Sequence, residues 1–386
     1  MKRIFLLVMD SCGIGEAIDA NEYNDTGANT FLHVYQSNNI YLPNFEKLGM
    51  YKLVGIDSNI DPIGYSARLC EESKGKDTLT GHSEMMGVIT SIPFKTFTQT
   101  GFPKELIDKL QKETGRKVIC NRAASGTAII KELGEEQMET GDLIVYTSGD
   151  SVLQIAAHED IIPVPVLYKY CEIARELTTK PEYKLGRVIA RPFIGTPGNF
   201  VRTANRKDFA LDPAGPTVLD ELKSHGYDVI GLGKISDIFN GCGITENIHT
   251  EDNLDGLHKV EDIIKNRDFT GLCFANLNDF DSKYGHRRDY IGYGNALKQM
   301  DSFLPTIISA MHDDDLLMIT ADHGNDPTQK GTDHTRENTP LLIYSKSFKE
   351  HGYLGKYDTF SVIGSTIAQN FNVGLIHGES LLDKLK

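Results

Sequence analysis

The stretch Ile319-Thr320-Ala321-Asp322-His323-Gly324-Asn325-Asp326 sets a carboxylate beside an imidazole, directly after the apolar run Leu316 to Thr320. A second imidazole, His334, follows eleven residues after His323, beyond a loop holding Gly324, Pro327 and Gly331. Neutral imidazoles and carboxylates are the ligands that borderline divalent ions such as Zn²⁺ and Mn²⁺ take. A lone Asp-His pair is commonly just a polar loop, so the reading depends on matching clusters elsewhere. Asp10 ends the run Leu6-Leu7-Val8-Met9, and Asp279-Phe280-Asp281 with His286 follows a run ending near Leu277. Alone, Asp10 could be a helix N-cap and His286 a surface histidine. Together Asp10, Asp281, His286, Asp322, His323 and His334 supply six oxygen and nitrogen ligands. That suffices for two metals with three protein ligands each and open positions for substrate.

A fifth element is Gly75-Lys76-Asp77-Thr78-Leu79-Thr80-Gly81-His82-Ser83-Glu84-Met85-Met86-Gly87. It puts a hydroxyl near the start of a helix-capable stretch, where free N–H groups and the dipole favour anions. The Walker spacing of a P-loop is missing. Thr78 therefore reads either as a plain helix N-cap or as a nucleophile whose hydroxyl proton is lost through metal coordination.

Strands and helices must position these groups. Residues 3–10, 143–148, 229–233, 271–277, 316–320 and 340–344 are short apolar runs that read as strands. Between several of them lie helical patterns. The clearest covers about 290–312, with Tyr293, Leu297, Met300, Leu304, Ile308 and Met311 at three- and four-residue steps. Pro305 is expected to kink or split that helix. The alternation implies an α/β fold with a mostly parallel, doubly wound sheet and helices on both faces. The stretch 94–212 is richer in Lys, Glu, Pro and Thr and interrupts the acid-bearing strands. It reads as an inserted second domain, leaving 1–93 and 213–386 as the two parts of the core.

Composition narrows the function. The chain has 386 residues, 40% hydrophobic and 24% charged, as in an ordinary globular protein. A net charge of -14 argues against non-specific nucleic-acid binding and anionic membrane surfaces. It also means that an anionic substrate needs local positive charge. Arg187, Arg191, Arg202, Lys234, Arg287 and Arg288 are the candidates, arginine suiting bidentate phosphate recognition. The apolar run after Lys2-Arg3 is too short for a secretory h-region or a membrane span. Cys12, Cys70, Cys120, Cys171, Cys242 and Cys273 are scattered with no C-x-x-C spacing. A cytoplasmic protein with reduced thiols is the expectation.

In their order, these clusters resemble the alkaline phosphatase superfamily, and within it the bacterial phosphopentomutases. The resemblance is carried by Val8-Met9-Asp10-Ser11-Cys12-Gly13-Ile14-Gly15-Glu16-Ala17, the Gly75 to His82 segment, and Phe280-Asp281 through Gly285-His286-Arg287-Arg288-Asp289. Ala321 to Pro327, with Thr332-Asp333-His334-Thr335-Arg336-Glu337, completes the core match. Tyr146-Thr147-Ser148-Gly149-Asp150-Ser151-Val152-Leu153-Gln154 and Gly186-Arg187-Val188-Ile189-Ala190-Arg191-Pro192-Phe193 are similar to the family's cap segments.

The resemblance implies a core of alkaline phosphatase type with a smaller inserted α+β cap and two Mn²⁺ ions. One ion would take Asp10, Asp322, His323 and the Thr78 oxygen; the other would take Asp281, His286 and His334. Thr78 would be the phosphorylated nucleophile, loaded from a sugar 1,6-bisphosphate primer. Ser148, Asp150, Val152, Arg187, Ile189, Arg202 and Lys234 would bind a pentose phosphate, in a monomer. In one departure, Ser83 stands where the family usually has Trp, and the chain has no Trp at all. The rival readings are a cofactor-independent phosphoglycerate mutase, a metal-dependent phosphatase and a non-catalytic metal-binding protein.

Overall fold

The computed structural model describes residues 1–374 and 377–386. They divide into two compact units, Met1–Ile92 with Pro213–Lys386, and Pro93–Asp212. The strands in chain order are β1 (Arg3–Met9), β2 (Tyr65–Leu69), β3 (Val118–Ala123), β4 (Leu143–Thr147), β5 (Val152–His158), β6 (Arg187–Ile194), β7 (Val201–Arg202) and β8 (Lys207–Ala210). They continue with β9 (Asp228–Leu232), β10 (Glu246–Ile248), β11 (Gly271–Leu277), β12 (Asp315–Thr320), β13 (Thr339–Tyr344) and β14 (Gly352–Tyr357).

The first unit holds one sheet in the order β10-β9-β11-β1-β12-β13-β2-β14. β1, β11 and β12 are buried at every position, as strands covered on both faces by helices must be. Their continuous apolar runs are therefore a burial signature. β10, β9, β11, β1 and β12 run parallel, which brings the C-terminal ends of β11, β1 and β12 side by side. Open α/β sheets place their ligands at such an edge. β13 departs from the alternating pattern: it returns antiparallel to β12. A loop rather than a helix joins the two strands, so the residues just before Thr339 come back to the ligand edge.

Pro305 does not split its helix, which runs unbroken over Tyr290–Ala310. A proline in a helix interior leaves the carbonyl four residues earlier without its amide partner. Here that carbonyl belongs to Asp301, and it accepts a 2.9 Å hydrogen bond from the Asn44 side-chain amide. The Asp301 carboxylate in turn caps the short helix Pro43–Lys47, accepting from Asn44 N at 2.9 Å and Phe45 N at 2.8 Å. The lost bond is thus replaced by a tertiary one.

The second unit folds around the mixed sheet β3-β4-β5-β6-β7, with β8 also paired to β6. Helices Lys104–Thr114 and Val164–Thr178 bury Leu106, Leu110, Leu167 and Cys171 against one face. Helix Gly126–Thr140 packs Ile129 and Ile130 on Ile144, Tyr146 and Phe193 of the other. Among the described residues, no helix is long and apolar enough to cross a membrane.

Candidate functional site

Asp10 is the first residue beyond β1, and the chain turns there through Ser11 at φ 76°. A non-glycine residue in that region is strained, and such strain collects at functional sites. The Ser11 amide donates to Asp322 Oδ1 at 3.0 Å, tying the end of β1 to the loop after β12. Asn276, beside Val8 in the β1–β11 register, donates Nδ2 to Asp10 Oδ2 at 2.9 Å. His323 donates Nδ1–H to the Gly324 carbonyl at 3.0 Å, which leaves the Nε2 lone pair free to coordinate. That nitrogen lies 3.5 Å from Asp10 Oδ1 and 3.3 Å from Asp322 Oδ2. Both of those oxygens are buried and accept no hydrogen bond. Orphaned buried carboxylate oxygens are costly unless a cation answers them, so this donor set fits a divalent ion.

Asp281 lies on a single π-helical turn, Phe280–Gly285, that follows β11 and ends at His286. Such turns recur at functional sites because the wider coil re-aims side chains. His286 donates Nδ1–H to the Thr332 carbonyl at 2.7 Å, so its Nε2 faces Asp281 Oδ2 at 3.1 Å. His334 Nε2 is 3.1 Å from that same His286 nitrogen and 3.5 Å from Asp281 Oδ1. The His323 and His334 rings stack with centroids 4.0 Å apart. Ligand atoms of Asp281, His323 and His334 all lie within 4.8 Å of one another, as do those of Asp10, Asp322 and His323. These residues, with His286 beside them, fit two neighbouring cations.

Burial raises the Asp10 carboxyl well above its ordinary range, and Asp322 and Asp281 push it further up. Burial also penalises ionised Asp281, but His334 and His286 outweigh it and hold that carboxyl well below the ordinary value. Asp322 is likewise lowered, burial being outweighed by His323 and His82. Burial depresses His323, which keeps this imidazole in the neutral, ligating form.

The Thr78 hydroxyl faces the same centre. Helix Thr78–Met85 is capped by Asp77, whose carboxylate accepts from Leu79 N and Thr80 N at 3.1 Å each. Thr78 is therefore the first helical residue and not the cap. Its Oγ lies 3.2 Å from His323 Nε2. The helix can come this close because residue 81 is glycine: a Cβ there would sit 2.1 Å from the Asp322 carbonyl oxygen. His82, fully buried, donates Nδ1–H to the Thr78 carbonyl at 2.9 Å. The loop before Thr78 is held by buried Arg336, which donates to Gly75 O at 2.6 Å and Glu71 O at 2.8 Å and pairs with the Glu71 carboxylate. Lys76 is engaged by Asp25 at 2.9 Å and Asp333 at 3.2 Å.

The residues expected to bind substrate fall in two places. Ser148 and Asp150 lie in the β4–β5 loop, and Val152 opens β5 opposite Arg187 at the start of β6. Ile189 pairs with Gln154, and Arg202 pairs with Phe193. These six belong to the second unit, whereas Lys234 follows β9 in the first, where its charge acts on Asp10. Arg288 serves the centre from behind: it bonds Asn325 Oδ1 and donates to Asp333 O at 2.9 Å, and Asn325 Nδ2 donates to Asp281 Oδ1 at 2.7 Å. Sequence reasoning missed Asn276, His82, Asn325 and Arg336 as supports. Asn276 left a signal, being the lone polar side chain in the run 271–277. Arg336 left none, since its partners come from distant segments.

The family model described as the metalloenzyme superfamily matches residues 2–375. The chain is similar to a protein from Pyrococcus horikoshii at 12% identity and TM-score 0.50, over 96% of this chain and 97% of that one. It is also similar to phosphoglycerate mutase from Leishmania mexicana, solved at low cobalt concentration, at 10% identity and TM-score 0.50. That match covers 98% of this chain and 97% of the other. At such identities the likeness concerns the fold alone.

Proposed function

The chain belongs to the metalloenzyme (alkaline phosphatase) superfamily, and on that premise we propose that it is a phosphopentomutase acting through phospho-Thr78. The observation that carries this reading is the Thr78 hydroxyl at a helix start, 3.2 Å from a histidine that faces two orphaned carboxylate oxygens. The substrates are ribose 1-phosphate or 2-deoxyribose 1-phosphate and the corresponding 5-phosphates.

In the resting enzyme the phosphoryl group is esterified to Thr78 Oγ. The free hydroxyl of the bound sugar monophosphate attacks the phosphorus as the bond to Oγ breaks. A sugar bisphosphate forms, and the hydroxyl's proton passes to Thr78. In the second half the sugar presents its other phosphate; Thr78 Oγ attacks it, and the released sugar oxygen takes the proton back. The helix dipole at Thr78 favours the anionic group. Two divalent ions, Mn²⁺ in this proposal, would be held by Asp10, Asp322 and His323 and by Asp281, His286 and His334; bound there, they would neutralise charge on the transferring group. A sugar 1,6-bisphosphate loads Thr78 initially.

The test is conversion of ribose 1-phosphate to ribose 5-phosphate with Mn²⁺, with and without primer, alongside mass spectrometry of Thr78. Release of inorganic phosphate instead would mark a phosphatase, and turnover of phosphoglycerate the mutase alternative. No turnover with any of these and an unmodified Thr78 would leave metal binding alone.

A further inference from the structure

In the first unit, β13 runs antiparallel to β12, β2 antiparallel to β13, and β14 parallel to β2. The starts of β2 and β14 therefore lie at the sheet edge opposite the metal centre, a strand length of about 13 Å away. At that edge a cavity of about 550 Å³ opens between the short helices Pro43–Lys47 and Met50–Val54 and the first residues of β14. That volume lies in the range of small-ligand pockets. Glu46, only 8% exposed, lines it. Its Oε1 accepts a 2.6 Å hydrogen bond from the Ser58 hydroxyl, whereas Oε2 is buried and accepts none. The exposed Tyr41 phenol is drawn to the same carboxylate, which pushes its ionisation up, yet Oε2 is left without an aligned donor. Asp57 and Asp61, both exposed, add negative charge to the lining. Lys52 sits over the Tyr353 ring at 5.6 Å and His351 is exposed; neither donates to Glu46 Oε2.

We propose that this cavity binds a small organic cation, a primary ammonium on a short apolar body, with the ammonium on Glu46 Oε2. A carboxylate oxygen withdrawn from water without a donor is costly, and a cation that reaches it relieves the penalty. A metal ion is the poorer fit. Among the described residues, the groups whose ligand atoms converge closely enough to share an ion do not include Glu46. An ammonium needs no such convergence: it donates up to three hydrogen bonds, and the carboxylate and the Ser58 hydroxyl both offer lone pairs. Tyr51, Ile56, Ile60 and Pro62 supply an apolar wall for the body of the ligand. The assignment does not rest on the mutase reading, because the cavity and the proposed catalytic groups lie at opposite edges of the sheet.

Saturation-transfer NMR of n-butylammonium chloride on the full-length, manganese-loaded chain tests the site, with n-butanol as the neutral isostere. Saturable binding of butylammonium is expected at or below about 10 mM, modest as befits so small a ligand, and n-butanol should bind at least tenfold more weakly. Glu46→Gln keeps an acceptor for Ser58 and removes only the charge, so its melting temperature should hold or rise while butylammonium affinity falls tenfold or more. Ile60→Asn, at an exposed position on the apolar wall, should weaken binding threefold or more without threatening the fold. No saturation by 10 mM, equal affinity for n-butanol, or wild-type affinity in Glu46→Gln each overturns the proposal. Displacement of butylammonium by an equal concentration of Mg²⁺ would mark an inorganic-cation site and overturn the ligand class.

Discussion

The Thr78 hydroxyl lies 3.2 Å from Nε2 of His323, the nitrogen that also faces Asp10 and Asp322. The proposed nucleophile and the candidate ligand cluster are thus one constellation, assembled from a helix start and two strand ends. Thr78→Ala removes the hydroxyl and none of the carboxylate or imidazole ligands. We expect mutase turnover to fall by at least ~10³-fold while Mn²⁺ still binds, measured by the ribose 1-phosphate assay and calorimetry. Retained turnover would sink the nucleophile assignment.

Gly81 sets that distance. In Gly81→Ala the new methyl meets the Asp322 carbonyl, a backbone atom that cannot swing aside. Either the helix or the ligand loop must move. The expected result is a stability loss of about 1–3 kcal/mol, as for overpacked sites, together with at least a tenfold loss of turnover. A variant with wild-type melting temperature and rate would show that the close approach is not needed.

Asn276 orients Asp10 without belonging to the ligand set. Asn276→Ala takes away the 2.9 Å donor to Oδ2 and leaves the carboxylate free to rotate. Metal affinity should drop by roughly 10–100-fold, the usual cost of losing such a support. Calorimetric titration with Mn²⁺ reads this directly, and unchanged affinity counts against the role.

Metal binding should stabilise the chain in a pH-dependent way. Burial holds His323 below the ordinary ~6.5 of a free imidazole. Between the two values the unfolded chain binds the proton and the folded chain does not, so acidification through this window destabilises. Asp10 is raised and has the opposite sign: its penalty is full near neutrality and is relieved as pH falls toward ~3.9. A cation on Asp10 relieves the same penalty at neutral pH. Saturating Mn²⁺, at about a hundredfold excess over Kd, should therefore add ~2–3 kcal/mol at pH 7.5. The increment should shrink below pH 6.5 and vanish with chelator. An increment that grows on acidification would contradict the ligand assignment.

Asn44 and Pro305 form a separate, purely structural test. Asn44→Ala should cost about 1–3 kcal/mol, because the Asp301 carbonyl loses its replacement donor. In a Pro305→Ala background the residue 305 amide returns and the same change should cost less. A double-mutant cycle from thermal melts measures the difference; strict additivity would refute the compensation.

Much of this was legible in the chain itself. Runs such as Leu6 to Met9 and Leu316 to Thr320 announce buried parallel strands, because a strand covered on both faces has no polar side to show. The ligand types announce themselves too, since Asp and His follow the strand ends at Asp10, Asp281 and Asp322-His323. The expectation that Pro305 would kink or split its helix missed the unbroken run Tyr290–Ala310, because the rescue comes from Asn44, more than 250 residues away. Similarly, the antiparallel return of β13 is what turns the loop before Thr339 toward the ligand edge, and no local pattern encodes a strand's direction.

What the sequence by itself determined is the inventory: which groups could bind metal or carry phosphate, and that apolar runs would set them at strand ends. Tertiary structure alone decided the rest. It put β11, β1 and β12 side by side so that Asp281, Asp10 and Asp322 converge. It also brought Thr78 against His323 through the bare backbone of Gly81, and left a buried Glu46 oxygen without a donor beside a cavity. The reason is physical: periodicity and burial are properties of neighbours along the chain, whereas coordination and hydrogen bonding depend on distances of a few ångströms between segments that are remote in sequence.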